Sequence, residues 1–245
     1  MAIFLSPHHD DICFSLAGLA ERTGGDLVNI FTISDYVAAP VALPADPAGR
    51  VAAITALRRQ EDIRFAAQTG LARHDLALAE PPIAGLGAFE HTRIDAEVAL
   101  LSERLVPFVL ALARREGARR RTLYCPMGIG GHRNHLSVLL AVRRAIAELA
   151  RACDVRLYED LHYASHAQAR QRGLARARLL FGDALAEAVA MPLDPAAAAR
   201  KLDRIALYAS QQRDAPRHAD FTPASGLCDG PHEIVWPVAP PCALG

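Results

Sequence analysis

Short apolar runs alternate with segments of helical period through most of this 245-residue chain, and that alternation restricts its fold more than any other feature. Ile3, Phe4 and Leu5 form a strand that stops at Ser6-Pro7, and Asp11 to Thr23 follows with apolar residues at helical spacing before Gly24-Gly25. The same reading gives a strand Leu27 to Ile33, a helix Arg50 to Thr69 and a strand His74 to Ala79. A helix Ile94 to Arg115 comes next, with Pro107 as a kink or boundary, and then a strand Thr122 to Cys125. A helix His135 to Arg151 and a strand Val155 to Tyr158 complete the alternation. Ala167 to Ser210 reads as two helices broken near Pro192, and the Pro-rich remainder offers one short strand, Glu233 to Trp236. Right-handed crossovers then predict an α/β, Rossmann-like three-layer sandwich around a mostly parallel central sheet. Residues 1–245 are expected to form one domain, with segment 212–245 packed on it as an extension.

Composition narrows the function classes. Half the residues are hydrophobic (51%), and 27 basic side chains balance 27 acidic ones, so no bulk charge draws the chain to nucleic acid or to an anionic membrane. The five cysteines (Cys13, Cys125, Cys153, Cys228, Cys242) lie far apart without CxxC spacing and read as reduced thiols, which suits the cytoplasm. The start, MAIFLSPHHDD, reaches histidine and acid too early for a signal peptide, and no apolar stretch approaches the ~20 residues that span a bilayer. A small-molecule partner is expected; the sequence is compatible with a homo-oligomer.

Two motifs carry chemistry. Pro7-His8-His9-Asp10-Asp11 directly follows the first strand, and Gly131-His132-Arg133-Asn134-His135 follows the fourth. In a sheet of this kind ligands bind beyond the carboxyl ends of the strands, where both motifs sit. Their imidazoles and carboxylates are the donor types of a three-ligand zinc site with an open position. Residues three apart on a helical turn share a face, so His132 and His135 can both enter the cleft, whereas Asp10 and Asp11 point differently, one as ligand and one as base.

These motifs resemble those of the PIG-L/LmbE-like zinc-dependent N-deacetylases, marked by PHxDD and a later HxxH. Weaker echoes are Leu57-Arg58-Arg59-Gln60-Glu61, Tyr158-Glu159-Asp160-Leu161, and Lys201 through Tyr208-Ala-Ser210-Gln211, so the resemblance covers roughly residues 1–211. It implies that His8, Asp11 and His135 bind Zn2+, that Asp10 is the general base, and that His132 stabilises the oxyanion and assists departure of the amine. The implied reaction removes an acetyl or other acyl group from the nitrogen of an amino sugar or its conjugate. Three positions depart from common family patterns. Ile12 stands where one branch has glutamate. Asn134 stands where many members have aspartate, so the charge of His132 is expected to depend on this neighbour. Gly130 stands where some members have tyrosine, so any phenol must come from elsewhere.

Other polar residues have plainer readings. His9 is structural or faces substrate. His162 and His166 are surface or cleft-edge residues, and Arg58 either binds an anionic substrate group or pairs with Glu61. The basic run Arg114, Arg115, Arg119, Arg120, Arg121 reads as a helix end whose cations oppose the dipole. Cys13 and Cys125 pack. Loops Tyr36 to Ala48 and Pro81 to Thr92, with the Pro-rich tail, are expected to set the acyl acceptor. Two alternatives remain: a metal-dependent phosphoesterase, for which two metals and more carboxylates are expected, and a catalytically silent zinc-containing protein that binds a sugar or nucleotide. No GxGxxG follows the first strand, which counts against a dinucleotide.

Overall fold

Seven strands make one twisted sheet in the order β3-β2-β1-β4-β5-β7-β6, in a computed structural model that describes residues 1–115 and 120–240. β1 (Ala2–Ser6), β2 (Gly25–Ile33), β3 (Leu71–Ala79), β4 (Arg121–Pro126) and β5 (Cys153–Tyr158) are parallel, whereas β7 (His232–Val238) runs antiparallel to β5 and β6 (Val189–Pro192) antiparallel to β7. All five residues of β1 are buried, as expected for a central strand covered on both faces. The covering helices are α1 (Asp11–Thr23), α2 (Pro47–Thr69), α3 (Ile94–Ala113), α4 (Arg133–Arg144), α5 (Ile146–Ala152), α6 (Ala167–Phe181) and α7 (Pro195–Ile205). Chain order reverses between β1 and β4. That switch point leaves a crevice at the carboxyl ends of both strands.

Several local readings are corrected. The segment expected as two helices broken near Pro192 contains β6, because backbone pairing of Val189–Pro192 with β7 outweighs the helical propensity of its surroundings. Its terminal Pro192 suits an edge strand. The helix expected from His135 to Arg151 starts two residues earlier and divides at Ala145 into α4 and α5. Pro107 is no boundary, since α3 continues through it.

The basic run is only partly a helix end. Arg121 is buried against Asp26, and its guanidinium donates to the carbonyls of Leu112 and Ala2 (3.0 and 2.7 Å). Arg120 donates to the Arg151 carbonyl at the end of α5 (2.9 Å), so the dipole it opposes is that of α5. Arg119 and Cys242 lie outside the described residues.

The helix that carries Asp11 is held by the far end of the chain. Leu16 interrupts α1 with φ −135° and ψ 27°, and the Glu233 carboxylate of β7 accepts from the Gly18 and Leu19 amides, each at 2.8 Å. Lys201 of α7 completes this buried cluster, 3.2 Å from Glu233.

Candidate active site

The loop after β1 delivers His8, Asp10 and Asp11, and the start of α4 delivers His132 and His135 across the crevice. The geometry at the centre is tight. His8 Nδ1 lies 3.3 Å from Asp11 Oδ2, His135 Nε2 lies 3.3 Å from Asp11 Oδ1, and the two ring nitrogens are 3.3 Å apart. Tetrahedral zinc with bonds of about 2.0–2.1 Å places its ligand atoms roughly 3.3–3.4 Å from one another, and these residues offer donors of the right type at that spacing, with each imidazole meeting a different oxygen of Asp11. His132 and Asp10 also lie within metal-binding reach, each in a group of three donors that includes His8.

The neighbours fix which ring nitrogens face inward. His135 Nδ1 donates to Asp160 Oδ1 (2.7 Å), beyond the end of β5, leaving Nε2 toward the centre. His8 Nε2 donates to Asn134 Oδ1 (3.0 Å), leaving Nδ1 toward the centre. Burial lowers the affinity of His135 for a proton, but the Asp11 and Asp160 carboxylates outweigh it and push its pKa up to about 10. The pocket therefore favours a cation at Nε2, whether proton or metal. Asp11 shows the reciprocal effect, held well below the carboxylate range against its burial by the two imidazoles.

His132 behaves oppositely. Burial, and then the neighbouring His8 and His135, push its pKa down to about 2, so the ring is neutral. Its Nδ1 accepts from the Asn134 amide at 3.3 Å, which leaves the proton on Nε2. This corrects the expectation for Asn134: its side chain bonds His8 and Glu97 (3.2 Å), not His132.

Arg58 is buried and does not pair with Glu61. Its guanidinium donates to Asp10 Oδ1 (3.1 Å), Glu80 Oε1 (2.5 Å) and Ser34 Oγ (2.8 Å), while Glu61 accepts from Ser210. Arg58 therefore holds Asp10 from the side while still lining the cleft. His9 turns away from the cleft into the interior, 3.5 Å from Asp62, so it does not face substrate. The donor group His9, Asp62, Asp75 already contains a cation, since Arg73 bonds both carboxylates. His162 is exposed at the cleft edge, and Cys13 and Cys125 are buried.

The cleft measures about 350 Å³. His8, Asp10, Asp11, Arg58, Glu80, His132 and His135 line it together with Tyr36, Pro82, Ala88 and Phe89, and Tyr163 joins from the turn after β5. Gly130 explains that last placement: with φ 90°, a Cβ there would lie 2.3 Å from Tyr163 Cγ, so the ring occupies the space of the missing side chain.

Sequence reasoning missed Glu80, Asp160 and Tyr163. The first two had a usable signal, an acidic residue just past the carboxyl end of a strand. Tyr163 had none, because only the fold brings it over Gly130.

Among curated proteins the chain is 31% identical over 172 residues to the 2′-N-acetylparomamine deacetylase of Streptomyces fradiae, an alignment covering 68% of this chain and 59% of that protein. That similarity supports assigning the chain to the PIG-L/LmbE-like deacetylase family. The chain spans less than two thirds of that curated relative's length. No protein-family model matches the sequence. Two solved structures share the fold of this PIG-L/LmbE-like chain over nearly its whole length. The A40926 pseudoaglycone deacetylase aligns with a TM-score of 0.65 at 21% identity, covering 99% of this chain and 98% of that one. The zinc-inhibited form of teicoplanin deacetylase aligns with a TM-score of 0.63 at 17% identity, covering 97% of each. Among the described residues no helix is long and apolar enough to cross a membrane.

Proposed function

We propose that this protein is a zinc-dependent amidohydrolase that removes an acetyl or other acyl group from the nitrogen of an amino sugar or amino-sugar conjugate. The observation that carries the reading is the meeting of His8, Asp11 and His135 at 3.3 Å, each imidazole against its own oxygen of Asp11, beside the Asp10 carboxylate and the His132 imidazole. The relative named as a 2′-N-acetylparomamine deacetylase supports the substrate class.

His8, Asp11 and His135 would hold the metal. A zinc ion there would polarise the amide carbonyl and make water a stronger acid. Asp10, oriented by Arg58, accepts a proton as water attacks the carbonyl carbon. The carbonyl oxygen gains negative charge, and His132 donates a hydrogen bond to it from Nε2. A neutral imidazole suffices for that task but is a poor acid, so the proton taken by Asp10 is the one returned to the departing amine. Tyr163 and the Phe89 side of the cleft shape the space around the acyl group.

The test is incubation of zinc-loaded protein with a panel of N-acetylated amino sugars and conjugates, with detection of acetate and of new primary amine. Stoichiometric release of both from at least one member is expected. Phosphate release from sugar phosphates, without amide cleavage across the panel, would favour a phosphoesterase instead.

A further inference from the structure

Outside the metal cleft, a serine meets a histidine at a cavity of about 320 Å³ lined by residues of segment 218–232. No residue lines both this cavity and the cleft. His232 opens β7 and is buried, with Nδ1 2.8 Å from the Gly230 carbonyl oxygen and Nε2 2.7 Å from Ser225 Oγ. A carbonyl only accepts, so the ring proton sits on Nδ1 and Nε2 is left as an acceptor. The Ser225 hydroxyl therefore donates to an unprotonated ring nitrogen. That is the relation of a nucleophile to its base, with the carbonyl as the third group that orients the base. A hydroxyl that merely fastens a turn is served by a backbone carbonyl, as Ser102 and Ser165 are by those of Val98 and His162 (2.8 and 2.7 Å).

Both partners are held in place. The Ala224 amide donates to the Ala164 carbonyl and the Leu193 amide to the Pro231 carbonyl, each at 2.9 Å. The Leu227 amide donates to Ser225 Oγ (3.1 Å), where it stabilises the oxygen as its proton leaves. Ser225 is half-buried, and the wall around the pair is small or apolar, with Ala219, Pro223, Gly226, Gly230 and Pro231. The Gly230 carbonyl fixes the tautomer of His232 but carries no full charge to stabilise an imidazolium. Such a base suits a good leaving group, hence an activated ester rather than an amide.

We infer that Ser225 and His232 form a second reaction centre, in which Ser225 takes a small acyl group from an activated ester. The Ser225 oxygen bonds to the ester carbonyl carbon as its proton passes to His232 Nε2. The bond from that carbon to the leaving oxygen breaks, and the same proton departs with it. Water then attacks acyl-Ser225 by the same route, which releases the acid and returns a proton to Ser225.

The test treats zinc-loaded wild type, Ser225→Ala and His232→Gln with a small alkyl fluorophosphonate, which bonds its phosphorus to an activated serine and loses fluoride. Peptide mass spectrometry locates the label and follows its rate, and thermal unfolding verifies each fold. In wild type, Ser225 should react about a hundredfold faster than Ser102 and Ser165, which have no base, and about a hundredfold faster than in folded His232→Gln. With p-nitrophenyl acetate, wild type should release a burst of about one phenol per chain that Ser225→Ala lacks. Labelling of wild-type Ser225 no faster than of Ser102 and Ser165 would overturn the centre whether or not the His232 variant folds. An undiminished rate in folded His232→Gln, an unchanged burst in Ser225→Ala, or label on Cys228 of the same cavity in place of Ser225 would overturn it equally.

Discussion

Asn134 serves two histidines with different parts of itself. Its side chain accepts from His8 and donates to Glu97, while its backbone amide donates to His132. Asn134→Asp would remove the donor to Glu97 and set a buried carboxylate against a half-buried one. We expect a loss of about 1–3 kcal/mol, read as a lower urea midpoint. The alkaline limb of kcat/KM against pH should stay in place, because the new carboxylate would not touch His132; an upward move in the folded variant would show that it does. Asp160 acts through His135 Nδ1, so Asp160→Asn should weaken zinc about 10–100-fold in competition with a chelator. Unchanged affinity would reduce Asp160 to a partner of the Ile129 amide (2.8 Å).

At the scale of elements, α1 depends on residues from the other end of the chain. Glu233→Ala would strip the acceptor from the Gly18 and Leu19 amides and leave Lys201 buried without its partner. The expected cost is ~3–5 kcal/mol by denaturant unfolding, and a cost below ~1 kcal/mol would mean that the kinked helix holds itself. A second link joins α1 to α7: Arg204, with help from Arg200, holds the Glu21 carboxyl down at about 2 from its ordinary 4.5. A depressed carboxyl stabilises the fold above its unfolded pKa and loses that contribution as pH falls from about 4.5 toward 2. Glu21 remains partly solvated, so the contribution is set at about 1 kcal/mol rather than the full linkage value. The difference between wild type and Glu21→Gln should be present at pH 6 and nearly gone by pH 2.5. Local pattern sufficed to locate the five parallel strands, although β3 carries Arg73, His74 and Asp75 and begins at Leu71, three residues before the expected start. It failed at β6, a four-residue edge strand that exists only because β7 lies beside it, and at Ala145, where nothing in the Ala-rich run marks the break.

For the molecule as a whole, the topology converts two distant motifs into one site. β1 and β4 are neighbours at the switch point, so residues 8–11 and 132–135 meet although more than a hundred positions separate them. That meeting was legible because each motif lies in the connection just past the carboxyl end of an apolar strand. The support behind it was legible only in part: Glu80 behind Arg58 and Asp160 behind His135 follow the carboxyl ends of strands, whereas Tyr163 over Gly130 is a long-range contact that no local pattern encodes. The central claim is a division of labour in which His8, Asp11 and His135 hold one zinc while Asp10 moves the proton. The most direct measurement pairs the zinc content of Asp10→Asn with its rate of acetate release from an N-acetylated amino sugar. The account predicts about one zinc per chain, as in wild type, with turnover reduced about a hundredfold or more. A variant that loses its zinc, or one that keeps both zinc and near-normal turnover, would contradict it.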